Sequence, residues 1–263
     1  MPRFALRLEY HGAGFVGWQR QAVGRSVQQV LEAAASRLAG GAAVAALAAG
    51  RTDAGVHASC QVACIDMPRD ITAARLRDAL NFHMKPHAVA VLDAAVAPAG
   101  WHPRFSAVER SYCYRILNRP ARAALEAGLV WHVTRRLDTG AMQQAADTLL
   151  GRHDFTSFRA ASCQAKSPLR TLDELSIRRD GERVLIAARA RSFLHHQVRN
   201  MVGTLKLVGE GAWPPARVAT ALAARHRAAA GPTAPPEGLT LVGVRYPEDP
   251  FSRPECRALR TPG

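Results

Sequence analysis

The stretch GRTDAGVHA at residues 50–58 places four polar side chains and a turn glycine between two apolar runs. Its carboxylate, Asp53, is isolated in the sequence, because no Asp or Glu occurs from Ala33 to Thr52 and Arg51 lies two residues before it. Cationic surroundings favour the ionised form of a carboxylate, and a loop with several charged groups on a rigid scaffold is typical of a catalytic site. The alternative is an ordinary Asp-Ala-Gly turn, in which the Asp side chain supports its own backbone.

The composition predicts a globular protein with a polyanionic partner. Of the 263 residues, 48% are hydrophobic, which is enough for a buried core in one large domain or two small ones. The 35 Lys and Arg residues outnumber the 21 Asp and Glu residues and give a formal net charge of +14. Because the basic residues are spread along the chain, this charge favours nucleic acid over a small neutral substrate, with an unspecialised basic surface as the alternative.

The cysteines and the N-terminus indicate a reduced, cytoplasmic protein. The cysteines are Cys60, Cys64, Cys113, Cys163 and Cys256. Their number is odd and no pair has C-x-x-C spacing, so we expect neither a disulfide framework nor a zinc site. The N-terminus lacks the apolar region of a signal peptide, and the longest apolar run, residues 41–50, is too short to span a bilayer.

Hydrophobic periodicity predicts an α+β protein in which the order β-α-β-β-α-β occurs twice. In the first half, the predicted strands cover residues 4–10, 43–49, 61–65 and 88–96, and the predicted helices cover 26–38 and 71–82. In the second half, the predicted strands cover residues 110–117, 172–178, 183–191 and 239–245, and the predicted helices cover 138–150, 194–208 and 215–225. The Asp53 loop therefore lies between two strands of the first half.

The repeated order predicts two ferredoxin-like halves, residues 1–105 and 106–248. We expect their antiparallel sheets to join side by side around a central cleft that accommodates a long ligand. Residues 151–170 are predicted to be irregular, and a loop of that length is usually functional or mobile. Residues 249–263 are rich in Pro and Arg, and we expect a loosely ordered tail there.

A glycine-rich segment, GAGFVG at residues 12–17, follows the first predicted strand and matches G-x-G-x-x-G. A dinucleotide-binding loop is disfavoured, because that fingerprint opens a helix directly and a polar segment intervenes here. A flexible loop that carries Trp18, Arg20 and Arg25 is better suited to base stacking and phosphate contact. The alternative for Trp18 is that it anchors the loop to the core. Phosphate contacts are predicted for Arg20 and Arg25 in this loop, and for Lys166 and Arg170 around an extended Ser-Pro segment, where solvated charge is the alternative.

Residues 50–57 closely resemble the signature of the tRNA pseudouridine synthase A family, in which the Asp is the catalytic nucleophile. The resemblance covers nearly the whole chain up to Pro247. Further segments that resemble family motifs are GWQRQ at residues 17–21, RSYCYR at 110–115, HDFTSF at 153–158 and FLHHQVRNMVG at 193–203. In the last of these, Gln197 stands where the family usually has Met.

The resemblance implies the pseudouridine synthase fold and the isomerisation of uridine to pseudouridine at positions 38, 39 and 40 in the anticodon stem-loop of tRNA. Asp53 would attack the flipped-out nucleotide at C1′ or C6, and Arg199 would pair with Asp53. Tyr112 would stack on the base and help to remove the C5 proton, and Arg51 would hold the flipped-out conformation. No metal or other cofactor is expected, since uracil is both leaving group and acceptor, and the family implies a homodimer.

Two other functions fit the sequence less well. The first is a non-catalytic RNA-binding protein made of two ferredoxin-like modules, which would gain nothing from a carboxylate in a cationic cleft, because a carboxylate repels phosphate. The second is a dehydrogenase, which nicotinamide binding would reveal.

Overall fold

The computed structural model describes residues 1–251, which form ten β-strands and five α-helices. The predicted α+β class is confirmed. Contacts within the chain define two compact units, one made of residues 1–110 with the chain from Leu241 onward, and one made of residues 111–240. Among the described residues, no helix has the length and apolar character needed to cross a membrane.

The first unit begins with strand β1 and helix α1. Its elements are β1 (Arg3–Tyr10), α1 (Val27–Leu38), β2 (Ala46–Ala48), β3 (His57–Asp66), α2 (Ala73–Met84) and β4 (Val89–Val96). Strand β1 is antiparallel to both β3 and β4, with Leu6 opposite Ala63 and Ala94, and β2 pairs with β3. The Oγ of Ser26 caps α1 by accepting a hydrogen bond from the Gln29 N–H at 3.1 Å. The apolar stripe that predicted this helix is buried.

The second unit holds most of the remaining elements. They are β5 (Glu109–Asn118), β6 (Trp131–Val133), α3 (Thr139–Asp147), β7 (Gly151–Asp154), β8 (Leu169–Asp180), β9 (Arg183–Ala190), α4 (Gln197–Gly209) and α5 (Ala216–Ala223). The strand order in this unit is β5-β9-β8-β7, and β6 pairs in parallel with β5. The last strand, β10 (Leu239–Arg245), neighbours β3, and its residues from Leu241 belong to the first unit.

The structure corrects the predicted elements at four places. Strand β3 begins at His57 rather than at residue 61, so the Asp53 loop is shorter than expected. Strand β6 was missed, and β7 lies in a stretch predicted to be irregular. Helix α4 begins at Gln197 rather than at residue 194, because His196 has a positive φ of 62° and the Gln197 Oε1 accepts the Leu194 N–H at 2.8 Å.

The described chain ends at Phe251, and the last residues lie on β1. The guanidinium of buried Arg7 stacks over the Phe251 ring at 4.4 Å and lies 3.4 Å from the Asp249 carboxylate. The predicted tail, residues 249–263, otherwise lies outside the described residues.

A close approach in the second unit gives a stability test. A Cβ at Gly238 would lie 2.6 Å from the Tyr114 ring and 2.9 Å from the Arg115 carbonyl oxygen, and the Tyr114 hydroxyl donates to the Pro235 carbonyl at 2.8 Å. Gly238→Ala should therefore lower the free energy of unfolding by about 1–3 kcal/mol, as measured by urea denaturation. A Cβ at Gly50 would meet no atom within 4 Å. Gly50→Ala is therefore the control, and it should change the free energy of unfolding by less than about 0.5 kcal/mol.

Candidate active site

The loop that carries Asp53 is attached to the glycine-rich loop by main-chain hydrogen bonds. The Trp18 N–H donates to the Thr52 carbonyl at 3.0 Å, and the Gly55 N–H donates to the Phe15 carbonyl at 3.3 Å. Both loops belong to the first unit. The segment predicted to be a flexible loop for RNA contact is therefore also a structural support for the predicted nucleophile.

Two glycines permit this close packing. Gly17 has a φ of 102°, and a Cβ there would lie 2.5 Å from the Thr52 carbonyl oxygen. A Cβ at Gly12 would overlap the Val56 carbonyl. The Gly12 N–H also donates to Nδ1 of buried His57 at 2.9 Å, so that nitrogen carries a lone pair. Two of the three glycines of G-x-G-x-x-G, Gly12 and Gly17, thus permit the contact between the two loops.

A buried hydrogen-bond cluster holds the inner side of the Asp53 loop. The hydroxyls of Tyr10 and Thr52 are 2.7 Å apart. The Gln61 Nε2 donates to the Tyr10 hydroxyl at 3.3 Å and to the Gly50 carbonyl at 2.9 Å. Burial raises the pKa of Tyr10 to about 12, so the phenol stays protonated near neutral pH and acts as a structural hydrogen-bonding group.

The start of the loop is held by a buried arginine. Arg110 is 7% exposed, and its Nη2 donates to the Ala49 and Arg104 carbonyls, each at 2.7 Å. Its Nη1 donates to the Ala107 carbonyl at 3.1 Å. Three accepting carbonyls compensate this guanidinium for the loss of water. The first residue of the RSYCYR segment therefore fixes the backbone from which the Asp53 loop departs.

These contacts leave the Asp53 side chain accessible on a fixed backbone. Asp53 is half-buried and Arg51 is exposed. The Asp53 carbonyl accepts the Val56 N–H at 3.1 Å, and Gly55 has a φ of 78°. The Asp-Ala-Gly turn is therefore formed, and the side chain of Asp53 is half-buried at its start.

In the second unit, the two tyrosines of β5 have different surroundings. Tyr112 is half-buried, and its ring meets the Phe193 ring edge-on, with centroids 5.2 Å apart and an interplanar angle of 89°. Tyr114 is fully buried, and burial, with a smaller contribution from Glu237, raises its pKa. Tyr112 is the tyrosine that remains accessible to a ligand.

Arg199 is oriented by the segment that precedes β10. Its Nε donates to the Ala234 carbonyl at 2.8 Å, and the Ala234 N–H donates to the Arg199 carbonyl at 3.1 Å. The same helix approaches this segment closely at Gly203, where a Cβ would overlap the Pro232 carbonyl. One edge of the guanidinium is thus fixed by the backbone.

The residues predicted to contact phosphate differ in their surroundings. Arg20 forms an ion pair with Glu32 at 2.8 Å, and its side chain is 53% exposed. Arg25 and Lys166 are exposed, and Arg170 is half-buried. An RNA phosphate would therefore share the Arg20 guanidinium with a carboxylate.

The sequence patterns did not predict the supporting roles of Tyr10, Gln61 and Arg110. For Gln61 the sequence does indicate a buried hydrogen bond, because a polar amide inside the apolar run 60–65 needs a buried partner. For Tyr10 the sequence gives no such indication, since a tyrosine at the end of a strand is usually a core residue.

The chain matches a family model and is similar in sequence to known proteins. A family model described as tRNA pseudouridine synthase matches residues 8–106 and 145–247. A tRNA pseudouridine synthase A of Acidiphilium cryptum is 69% identical over 254 residues, which cover 96% of this chain and 100% of that protein. The corresponding proteins of Rhodospirillum centenum and Gluconobacter oxydans are 61% and 56% identical, over 94% and 96% of this chain and 100% and 93% of their own lengths. The chain belongs to the tRNA pseudouridine synthase family and is an isomerase.

Proposed function

We propose that this protein converts uridine to pseudouridine at positions 38, 39 and 40 in the anticodon stem-loop of tRNA, with Asp53 as the nucleophile. The observation that carries the proposal is the half-buried Asp53 on a loop fixed by buried hydrogen bonds. Membership of the family supports the reaction, and the +14 net charge supports a nucleic-acid substrate.

The target uridine must leave its stack before it reacts. Extrusion costs a few kcal/mol, and contacts with backbone phosphates and with an aromatic ring offset that cost. Arg20, Arg25, Lys166 and Arg170 bind phosphates of the same tRNA.

Asp53 supplies the covalent step. Its carboxylate oxygen forms a bond to the nucleotide, at C1′ with release of uracil N1 or at C6 of the base. After the N1–C1′ bond has broken, the uracil turns and C5 forms the new bond to C1′. C5 then loses its proton, N1 gains one, and the carboxylate is regenerated, so the reaction balances as an isomerisation.

Three further residues assist this step. In the proposal, Arg199, held by the Ala234 carbonyl, forms an ion pair with the Asp53 carboxylate. Tyr112 stacks on the extruded base and helps to remove the C5 proton. Arg51 is exposed beside the loop and holds the flipped-out conformation.

The proposal extends to the assembly and the cellular site. We propose a cytoplasmic homodimer in which one tRNA touches both subunits. The measurement that tests this point is the mass of the protein in solution, alone and with one equivalent of tRNA.

Asp53→Asn should abolish pseudouridine formation in tRNA and leave the fold and tRNA affinity nearly intact, because the change is close to isosteric and removes only the nucleophile. The measurement is release of tritium from tRNA labelled at uridine C5. Measurable turnover by the pure variant would rule out the covalent role. Loss of binding together with turnover would point to a non-catalytic RNA-binding role for this loop.

Arg199→Leu should lower kcat by about 10²-fold or more, because electrostatic support of a reacting group is worth at least that much. The slope of log affinity for tRNA against log salt should stay unchanged, since Arg199 faces a carboxylate in the proposal. Arg199→Lys keeps the charge but loses the Nε donor to Ala234, so it should recover part of kcat. A reduced salt slope for Arg199→Leu would instead identify a phosphate contact.

Tyr112→Phe and Tyr112→Leu separate stacking from proton transfer. Stacking is worth about 1–3 kcal/mol per base, so the Leu variant should weaken capture of the flipped uridine, whereas the Phe variant should keep it. If the hydroxyl removes the C5 proton, Tyr112→Phe should release C5 tritium about 10²–10⁴-fold more slowly.

Tyr114→Phe is the matched control for this pair. It deletes a hydroxyl bonded to the Pro235 carbonyl, so it should cost stability of about 0.5–1.5 kcal/mol without slowing tritium release. Normal tritium release by Tyr112→Phe would leave Tyr112 as a stacking surface only.

A further inference from the structure

A cavity of about 350 Å³ lies in the second unit. Three arginines and three hydroxyl side chains line it: Arg152, Arg170, Arg191, Ser167, Thr171 and Ser192. No Asp or Glu is among the described residues that line it. We call this cavity the arginine pocket.

The pairing of strands explains why these residues meet. Arg152 lies on β7 opposite Thr171 on β8, and Arg170 lies opposite His153. Strand β9 pairs with β8 at Ala190 and Leu172, so Arg191 follows at the end of β9. Three segments far apart in sequence therefore each bring one guanidinium to the same place.

Arg170 is the most constrained of the three. Its Nη1 donates to the Ser167 and Leu169 carbonyls at 3.0 and 2.6 Å. Its Nε is buried and has no hydrogen-bond partner among the described residues. Burial lowers the pKa of this guanidinium, which means that it has lost hydration that an anion would replace. A guanidinium held in this way is already ordered before a ligand arrives.

We propose that the arginine pocket binds one phosphodiester group of the RNA backbone. Several guanidiniums and hydroxyls around one cavity match the oxygens of a phosphate, and arginine is suited to that contact by its planar fork of donors. The volume is near the lower end of the range of about 300–1,000 Å³ for ligand sites, which suits a phosphate with part of its sugar.

The pocket also lies next to a residue of the candidate active site. Ser192 immediately precedes Phe193, whose ring contacts Tyr112. A phosphate held here would fix the register of the strand that carries the target uridine, because phosphate contacts position a nucleic acid and carry no sequence information themselves. In this respect the inference rests on the proposed function, and it adds Arg152 and Arg191 as residues that orient the substrate.

The test measures binding of an unmodified tRNA transcript by fluorescence anisotropy across a series of salt concentrations. Arg152→Gln and Arg191→Gln are the test variants, because both side chains are exposed and their loss should not disturb the fold. Each should weaken binding by about three- to tenfold at 0.1 M salt and lower the slope of log affinity against log salt by about one. An unchanged slope in both variants would overturn the proposal.

Arg77→Gln is the matched control, since it makes the same change in net charge in the first unit. Arg77 forms an ion pair with Asp78 at 2.8 Å. The Arg77→Gln variant should therefore have the same slope of log affinity against log salt as the wild-type protein. A slope lowered equally by Arg77→Gln would show a general effect of net charge and would contradict a local site.

A second measurement separates this inference from the proposed function. Inorganic phosphate is titrated into ¹⁵N-labelled protein while the arginine Nε–H signals are followed, with chloride at equal ionic strength as reference. Phosphate should shift the Arg170 signal, and Arg191→Gln should abolish that shift. If wild-type protein forms no pseudouridine but the shift is present, the proposed function fails and the anion site stands. If turnover is normal and the shift is absent, the arginine pocket is wrong.

Discussion

The loop that presents Asp53 depends on the hydrogen bonds that hold Thr52, the residue directly before it. The carbonyl of Thr52 accepts a hydrogen bond from the Trp18 N–H. The hydroxyl of Thr52 lies 2.7 Å from the hydroxyl of Tyr10. Main chain and side chain of one residue are therefore fixed from two directions. Since Thr52 is buried, an unmade bond here would cost the desolvation of a polar group, about 1–3 kcal/mol. The loop has little freedom to move without breaking one of these bonds.

This constraint explains why much of the first unit contributes to one loop. Gln61 on β3 bonds both Tyr10 and the Gly50 carbonyl, and Arg110 bonds the Ala49 carbonyl. A fully satisfied buried polar network specifies a single arrangement more strictly than apolar packing does. A nucleophile must stand within a fraction of an ångström of its productive position, and a supporting shell of this kind provides that precision.

The sequence predicted the fold class and its local elements more completely than the contacts that support the Asp53 loop. The α+β class, helix α1 with its Ser26 cap and the isolated Asp53 followed from residue type and spacing, because these signals are local. The start of α4 did not, because the positive φ of His196 and the hydrogen bond from the Leu194 N–H to the Gln197 side chain delay the helix to Gln197. Strand β7 is only four residues long and gives no periodic signal.

The supporting contacts have a different origin. Arg110 and Ala49 are 61 residues apart in sequence, and Gln61 and Tyr10 are 51 apart. Pairings of this kind are set by strand register, which one sequence does not reveal. The arginine pocket has the same character, since its three arginines come from β7, the start of β8 and the end of β9.

The central claim is that the fixed loop makes Asp53 the nucleophile of tRNA uridine isomerisation. The most direct measurement uses a tRNA transcript with 5-fluorouridine in place of uridine, because fluorine at C5 prevents the proton loss that completes the reaction. Mass spectrometry of the digested complex should locate the covalently attached nucleotide on the peptide that contains Asp53, with the modified residue at position 38, 39 or 40 of the tRNA. Attachment to a different residue of the protein would contradict the account.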